Sequence, residues 1–393
     1  MQYRRFGSLD YHASALGFGA MRLPTWNGDI DEPLAIRMLR YAIDHGVNYV
    51  DTAWPYHGGK SEVLVGRALG EGYRERTMLA TKLPSWEVKT ADDFDRFLDA
   101  QLERLATDHI DFYLLHSMNR HSWPRLRDLG VREWAERAMV GGRIRHLGFS
   151  YHDTPEAFAP IIDGYDWAMC QIQLNFMDPD GQAGVSGLRY AAAKGIAVVI
   201  MEPLFGGKLV DPPTPVQAIW DTAAVKRSPV DWALRWLWNQ PGVSLVLSGM
   251  SSQEQVEENA ALAAAPDGGA LTPDELILCD QVRAAYQALT LIPCTACGYC
   301  KPCPQGVDIP QNLSMYNDGV VYDKPEVARS RYAWLKYAFE VQHLFDRDMR
   351  AANCIQCAEC EARCPQSIPI SVWMPVVDEV LGGGKPWVME PGG

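Results

Sequence analysis

Eight of the ten cysteines stand in two short runs. The first is Cys294, Cys297, Cys300 and Cys303, closed by Pro304; the second is Cys354, Cys357, Cys360 and Cys364, closed by Pro365. Two-residue gaps gather several thiolates around one small volume, which suits a metal centre. A disulfide framework would spread its cysteines and would need an oxidising compartment. The second run reads C-x2-C-x2-C-x3-C-P, the bacterial iron–sulfur spacing, in which three cysteines hold one cluster and the fourth reaches another. The first run has one residue fewer before its last cysteine. All-thiolate zinc sites also use C-x2-C pairs, but they usually separate the pairs by a longer loop. Four cysteines in succession with a closing proline favour two 4Fe–4S clusters over zinc and over redox-sensing thiols. Cys170 lies in an apolar strand-like run and Cys279 in a helical one, so both are expected to be buried and inert.

A second set of reactive side chains sits at the ends of short apolar runs. The strand candidates are 15–21, 48–53, 78–83, 112–116, 146–150, 168–174, 197–201 and 244–248. Helix-period segments lie between them. In Thr90–Leu105, the residues Phe94, Phe97, Leu98, Leu102 and Leu105 share one face. Ser228-Pro229-Val230-Asp231 opens another helix with a cap and a proline. Eight strand–helix units over about 260 residues predict an α/β fold, a (β/α)8 TIM barrel. A doubly wound sheet is the runner-up, yet neither G-x-G-x-x-G nor the phosphate-loop motif occurs. In such a barrel, chemistry lies where strands end. Strand two is followed by Asp51-Thr52-Ala53-Trp54-Pro55-Tyr56, strand three ends on Lys82, and strand four on His116. Any one of these alone is an ordinary core or solvated residue. Four ionisable groups at three successive strand ends point to one site.

The pattern D-T-A-x-x-Y, then A-T-K, then L-L-H resembles the catalytic tetrad of the aldo-keto reductases. Asp111-Phe112-Tyr113 and the run Arg145 to Ser150 are similar to that family too, and the likeness spans residues 1 to about 265. From about residue 285 the chain resembles the α-helical ferredoxin domains, which space their two motifs with helices. One such helix is predicted over 327–345, with Tyr332, Leu335, Phe339 and Leu344 as its apolar stripe. The whole chain is thus similar to the iron–sulfur branch of the aldo-keto reductases, with domains expected at 1–270 and 285–393. The resemblance implies an oxidoreductase that reduces a carbonyl, or in reverse oxidises an alcohol, with a nicotinamide cofactor. Hydride addition builds an alkoxide, so an acid must donate a proton. Tyr56 is the implied acid and Lys82 the ammonium that lowers its pKa. Asp51 would hold Lys82 charged, and His116 would hydrogen-bond the carbonyl oxygen.

That family binds a nicotinamide dinucleotide across the barrel mouth. The resemblance puts Ser150, Gln171 and Asn175 near the carboxamide and Leu204, Gly206, Gly207 and Lys208 along the pyrophosphate. Ser248, Gly249, Met250, Ser251, Ser252, Gln255 and Asn259 are implied at the adenosine end. Otherwise Ser251 and Ser252 are plain helix caps, with Gln255 and Asn259 on a solvated face. No cation adjoins Ser251 and Ser252 to clamp a 2′-phosphate, so NADP is not favoured over NAD unless Lys226 or Arg227 supplies the charge. Met201 stands where the family commonly has a stacking aromatic, which leaves room for a flavin.

Nicotinamide moves two electrons as hydride, whereas a 4Fe–4S cluster moves one. Three readings therefore stay open. The clusters are structural, regulatory or a docking module beside a carbonyl reductase. They drive a one-electron reaction through flavin or a substrate radical. Or the chain is a redox sensor or electron-carrier adaptor. The expected partners are a small carbonyl or alcohol substrate and a redox protein. The net charge of −13 argues against nucleic acid. No apolar stretch approaches a membrane span, and the first residues lack a signal-like segment, so a cytoplasmic protein is expected. In the loops, Trp54 and Trp86 could wall an apolar pocket, and Arg120 and Arg125 could meet an anionic substrate, although solvated loop positions suit both arginines better.

Overall fold

The eight apolar runs become eight parallel strands: β1 (Leu16–Gly19), β2 (Tyr49–Asp51), β3 (Met78–Leu83), β4 (Ile110–Met118), β5 (Ile144–Tyr151), β6 (Met169–Gln173), β7 (Ala197–Met201) and β8 (Val243–Ser248). Each pairs with its neighbour in chain order, and β8 pairs with β1, so the sheet closes into a barrel. The computed structural model describes residues 1–265, 270–294, 298–342 and 344–391. Around the barrel lie α1 (Glu32–Asp44), α2 (Lys60–Ala68), α3 (Asp92–Leu105), α4 (Ser122–Asp128), α5 (Val131–Val140), α6 (Pro155–Ile162) and α7 (Gly184–Ala193). After β7 come α8 (Thr214–Trp220) and α9 (Pro229–Trp238), and after β8 comes α10 (Gln253–Ala263). The α9 start matches its Ser228-Pro229 signal. Among the described residues no helix is long and apolar enough to cross a membrane.

Strand alternation explains how the barrel presents its site. Tyr49, Ala80, Phe112, Leu114, Met169, Ala197, Val199, Leu245 and Leu247 form one buried cluster inside the barrel. Phe6, just after the strand Tyr3–Arg5 of an N-terminal hairpin, belongs to the same cluster. Side chains repeat every second residue on one face of a strand. Stepping on by two from this layer therefore brings Asp51, Lys82, His116, Gln171 and Met201 to the upper rim.

The chain divides into two compact units, Met1–Phe205 with Val230–Leu276, and Gly206–Pro229 with Ile277–Gly393. The linear division expected at 270–285 omits the first part of the second unit. Gly206–Pro229 follows a barrel strand in sequence but is tied to the C-terminal residues by charge. Lys208 Nζ lies 2.6 Å from Asp318 Oδ2, and Lys324 Nζ lies 2.7 Å from Asp211 Oδ2.

The second unit is helical, with α11 (Pro273–Ala288) leading into it and α12 (Ile309–Val321), α13 (Pro325–Glu340) and α14 (Ile370–Leu381) forming its frame. Its core gathers Leu313, Tyr316, Tyr332, Leu335, Trp373 and Val377. Tyr332 and Leu335 are buried as the periodicity requires, while Phe339 is only half-buried and Ala338 takes the inner place. The first cysteine run precedes α12 and the second lies between α13 and α14. Asn312 joins the two regions: its Nδ2 donates to Met349 O and its Oδ1 accepts from Ala351 N, both within 2.9 Å.

Candidate functional site

Four side chains meet at the barrel rim. The Lys82 ammonium is fully buried and donates to Asp51 Oδ1 at 2.6 Å, Thr52 O at 2.8 Å and Tyr56 Oη at 3.3 Å. An ammonium has three N–H groups, so all three are committed. Tyr56 therefore accepts from Lys82 and keeps its own proton free to donate elsewhere. The His116 ring stands edge-on to Tyr56, with centroids 6.0 Å apart, and the Trp86 ring is tilted against it at 5.1 Å. Trp86 thus walls the site. Trp54 does not: it packs edge-on against Phe97 and carries the Arg104 guanidinium on its face.

Burial and charge set the protonation states. Burial opposes the Lys82 ammonium, but Asp51 and Tyr56 outweigh it and hold its pKa above the usual value. Burial pushes the Asp51 carboxyl up, with Lys82 pulling against that rise. The Tyr56 hydroxyl is also pushed up by burial, against the pull of Lys82 and with help from Asp51 and Glu202. The expectation of a net lowering is corrected here, because desolvation of the phenolate exceeds the attraction of one ammonium. His116 is driven well below the ordinary imidazole value by burial, and further by Lys82 and His152, so it is neutral at pH 7. Its Nδ1 is buried without a hydrogen-bond partner.

The residues implied in cofactor binding divide. Ser150 and Gln171 are buried at the rim. Ser150 Oγ accepts from Ser117 N at 2.8 Å, and Gln171 Oε1 is buried with no partner. Asn175 is spent locally, its Oδ1 accepting from Met177 N and Asp178 N. Leu204 is half-buried after β7. Gly206, Gly207 and Lys208 fall in the second unit. Lys208 is 2% exposed and its ammonium is engaged by Asp318, a carboxylate that it shares with Arg331. At the α10 end, Ser252 caps the helix through Gln255 N, and Gln255 Oε1 accepts from Ser251 N. Met250 is buried, and Asn259 turns inward to donate to Ser248 Oγ at 3.1 Å, so neither side chain is offered to a ligand. Arg120 and Arg125 are held by Asp153 and by Ser85 and Val88 carbonyls.

Sequence reasoning missed three features of the mouth. Glu202 follows β7 with a left-handed backbone (φ 55°) and an exposed side chain whose charge reaches Tyr56. His152 follows β5, and its imidazole adds to the lowering of His116 while burial lowers its own value too. Arg22, in the short helical turn after β1, lies across Gly249, where an added Cβ would meet three of its side-chain carbons at 3.2 Å. A cation thus does adjoin the loop before α10. It comes from the far end of the barrel sequence, where no local motif could reveal it.

In the second unit the described cysteines stand around two cavities. One, of about 430 Å³, is lined by Cys354, Cys357 and Cys360 of the second run together with Cys300 and Cys303 of the first. The other, of about 310 Å³, is lined by Cys294, Cys300 and Cys364. Each cavity therefore draws the fourth cysteine of the opposite run, as the iron–sulfur spacing anticipates. Cys300, Ile309 and Ile370 line both, so the cavities are neighbours. Among the described residues no three His, Cys, Asp or Glu converge closely enough to hold a single metal ion. Cys297 lies outside the described residues. Cys170 and Cys279 are buried elsewhere, and desolvation raises the Cys170 thiol far above its usual range.

Residues 15–281 match the profile of the aldo/keto reductase family, a span of well over half the chain. The chain belongs to the aldo/keto reductase family. Residues 293–368 match the 4Fe-4S dicluster domain, so this reductase is an oxidoreductase fused to an iron–sulfur domain. It is 26% identical to the NADH-specific methylglyoxal reductase of Escherichia coli over 65% of this chain and 91% of that one. L-galactose dehydrogenase of Arabidopsis thaliana is 27% identical, over 66% of this chain and 88% of the relative. Among solved structures, the holo form of an aldo-keto reductase from Bacillus halodurans aligns with a TM-score of 0.60 at 26% identity, covering 72% of this chain and 96% of the other. A Klebsiella pneumoniae aldo/keto reductase solved with NADP and acetate aligns at 0.59 and 26% identity, over 72% and 95% of the two chains.

Proposed function

We propose that this aldo/keto reductase reduces the carbonyl of a small aldehyde or ketone, or oxidises the corresponding alcohol, with Tyr56 as general acid. The observation that carries this reading is the full commitment of the Lys82 ammonium to Asp51, Thr52 and Tyr56, which leaves the phenol proton free. A nicotinamide dinucleotide fits the rim, because Gln171 Oε1 is a buried acceptor lacking a donor, the pairing a carboxamide N–H would complete. Ser150, beside it on β5, would hold the carboxamide from the other side. The bound dihydronicotinamide would supply the hydride. Arg22 and the backbone of Ser248–Ser252 would meet its phosphates. The relatives named for methylglyoxal and L-galactose support a small polar carbonyl or alcohol as substrate.

Charge develops on the carbonyl oxygen as hydride arrives, and Tyr56 neutralises it by giving up its proton. The phenolate left behind is stabilised by Lys82, whose own charge is anchored by Asp51. Neutral His116 donates a hydrogen bond to the same oxygen without competing as an acid. The eight cysteines would hold two 4Fe–4S clusters, Cys354, Cys357, Cys360 and Cys303 around one and Cys294, Cys297, Cys300 and Cys364 around the other. Bound there, the clusters would supply one-electron redox chemistry, and the walls that the two cavities share would set them next to each other. Tyr56→Phe tests the reading. Carbonyl reduction should fall by ~10²-fold or more while coenzyme affinity is retained; undiminished turnover would remove Tyr56 from the role.

A further inference from the structure

We propose that Glu62, Gln101 and Arg104, on the two helices behind the tetrad strands, form a positioning device that fixes where Lys82 and Tyr56 stand. The inference rests on the general-acid reading above. Glu62 on α2 is completely buried, as is Gln101 on α3. Glu62 Oε1 accepts from Thr81 Oγ1 and from Gln101 Nε2, both at 2.6 Å, and Glu62 Oε2 accepts from Arg104 Nη1 at 3.1 Å. Gln101 Nε2 also donates to the backbone carbonyl of Lys82 at 3.0 Å, and Gln101 Oε1 accepts from Tyr113 Oη at 2.7 Å. Arg104 in turn lies 3.5 Å from the centre of the Trp54 ring, two residues before Tyr56.

One carboxylate therefore reaches three pieces of the tetrad scaffold. It grips β3 at the residue before Lys82 and, through Gln101, at Lys82 itself. Through Gln101 and Tyr113 it reaches β4, three residues before His116. Through Arg104 and Trp54 it steadies the loop that carries Tyr56. Gly66 allows this reach: an added Cβ would stand 2.7 Å from the Leu105 carbonyl, so only glycine lets α2 and α3 approach so closely. A buried carboxylate with a half-exposed counter-charge is an expensive way to hold two helices together, and apolar residues of similar volume would pack at least as stably. Directional bonds achieve what apolar packing does not: they hold a strand carbonyl and a loop at set distances. The Lys82–Tyr56 contact, at 3.3 Å, is the longest of the three that the ammonium makes and so the most sensitive to a shift of either support.

The test compares Glu62→Gln, Thr81→Val and Tyr56→Phe in the full chain, measuring thermal stability, coenzyme affinity by fluorescence titration, and kcat and KM separately. A misplacement near 1 Å costs roughly 10²-fold in rate. Glu62→Gln should lower kcat by roughly 10- to 100-fold with KM and coenzyme Kd little changed, and Thr81→Val, which keeps the side-chain shape and removes the two bonds of the hydroxyl to Glu62 and Gln101, should give a smaller loss of the same kind. Should Glu62→Gln fail to fold, Thr81→Val alone decides the matter. Variants that are less stable yet keep the parental kcat per folded molecule would make the network merely structural and overturn the proposal. If Tyr56→Phe itself retains full turnover, the general-acid reading fails instead, and the two failures are told apart.

Discussion

Replacing Lys82 by Met puts the buried charge pair to its hardest test. Lys82 is fully buried and Asp51 is 2% exposed. Asp51 Oδ1 would lose its 2.6 Å partner, while Oδ2 already has none. Removing one member of a buried pair costs about 3–5 kcal/mol, because the other charge is left uncompensated. At about 2–4 °C per kcal/mol for a domain of this size, Tm should fall by roughly 6–20 °C. The pH dependence gives the cause. Burial already raises the Asp51 carboxyl, and without Lys82 nothing pulls it down. A carboxyl with a raised folded pKa binds its proton more tightly folded than unfolded. The loss of stability should thus be smallest in acid and should grow as pH rises through the raised folded value. Denaturation of the parent, Lys82→Met, Asp51→Asn and the double variant, at about pH 5 and about pH 8, measures this directly. The double variant should regain most of the stability lost by Lys82→Met, and neither variant lacking Lys82 should turn over. A deficit that is the same at both pH values and unrelieved by Asp51→Asn would refute the ion pair as described.

Other expectations follow from the same geometry. The folded protein holds His116 neutral, so below the unfolded value of ~6.5 the unfolded chain takes up a proton that the native state refuses, and stability falls with pH. His116→Gln should flatten that acid loss, seen in Tm between about pH 6.5 and lower values; an unchanged slope would mean the imidazole protonates in place. Arg22→Ala should weaken NADPH binding by ~10-fold, about 1.4 kcal/mol, and NADH binding less, as read by equilibrium titration; equal losses would remove Arg22 from 2′-phosphate contact. Cys303→Ser should cut iron from about eight to about four atoms per chain, with Cys364→Ser affecting the other cluster; identical spectra for the two variants would contradict the crossed ligand sets.

The tetrad was legible because its cause is local. Alternation within a strand and the order of neighbouring strands suffice to bring Asp51, Lys82 and His116 to one rim, and Tyr56 follows five residues after Asp51. The cysteine runs were legible for a similar reason, since two-residue gaps alone confine the thiols. Gln101 shows where local pattern stops. It lies on the buried face of α3, yet its polar type gave no hint that Glu62, from another helix, would meet it there. The family resemblance placed Lys208 along the pyrophosphate, but the folded chain sets its ammonium against Asp318, more than a hundred residues on. Arg22 and Gly249 likewise come together only when β8 closes onto β1. Periodicity and spacing report what a residue does within its own strand or helix. Buried charges and hydrogen bonds are settled by whichever partner the folded chain brings within 3 Å, and that partner can lie anywhere along it.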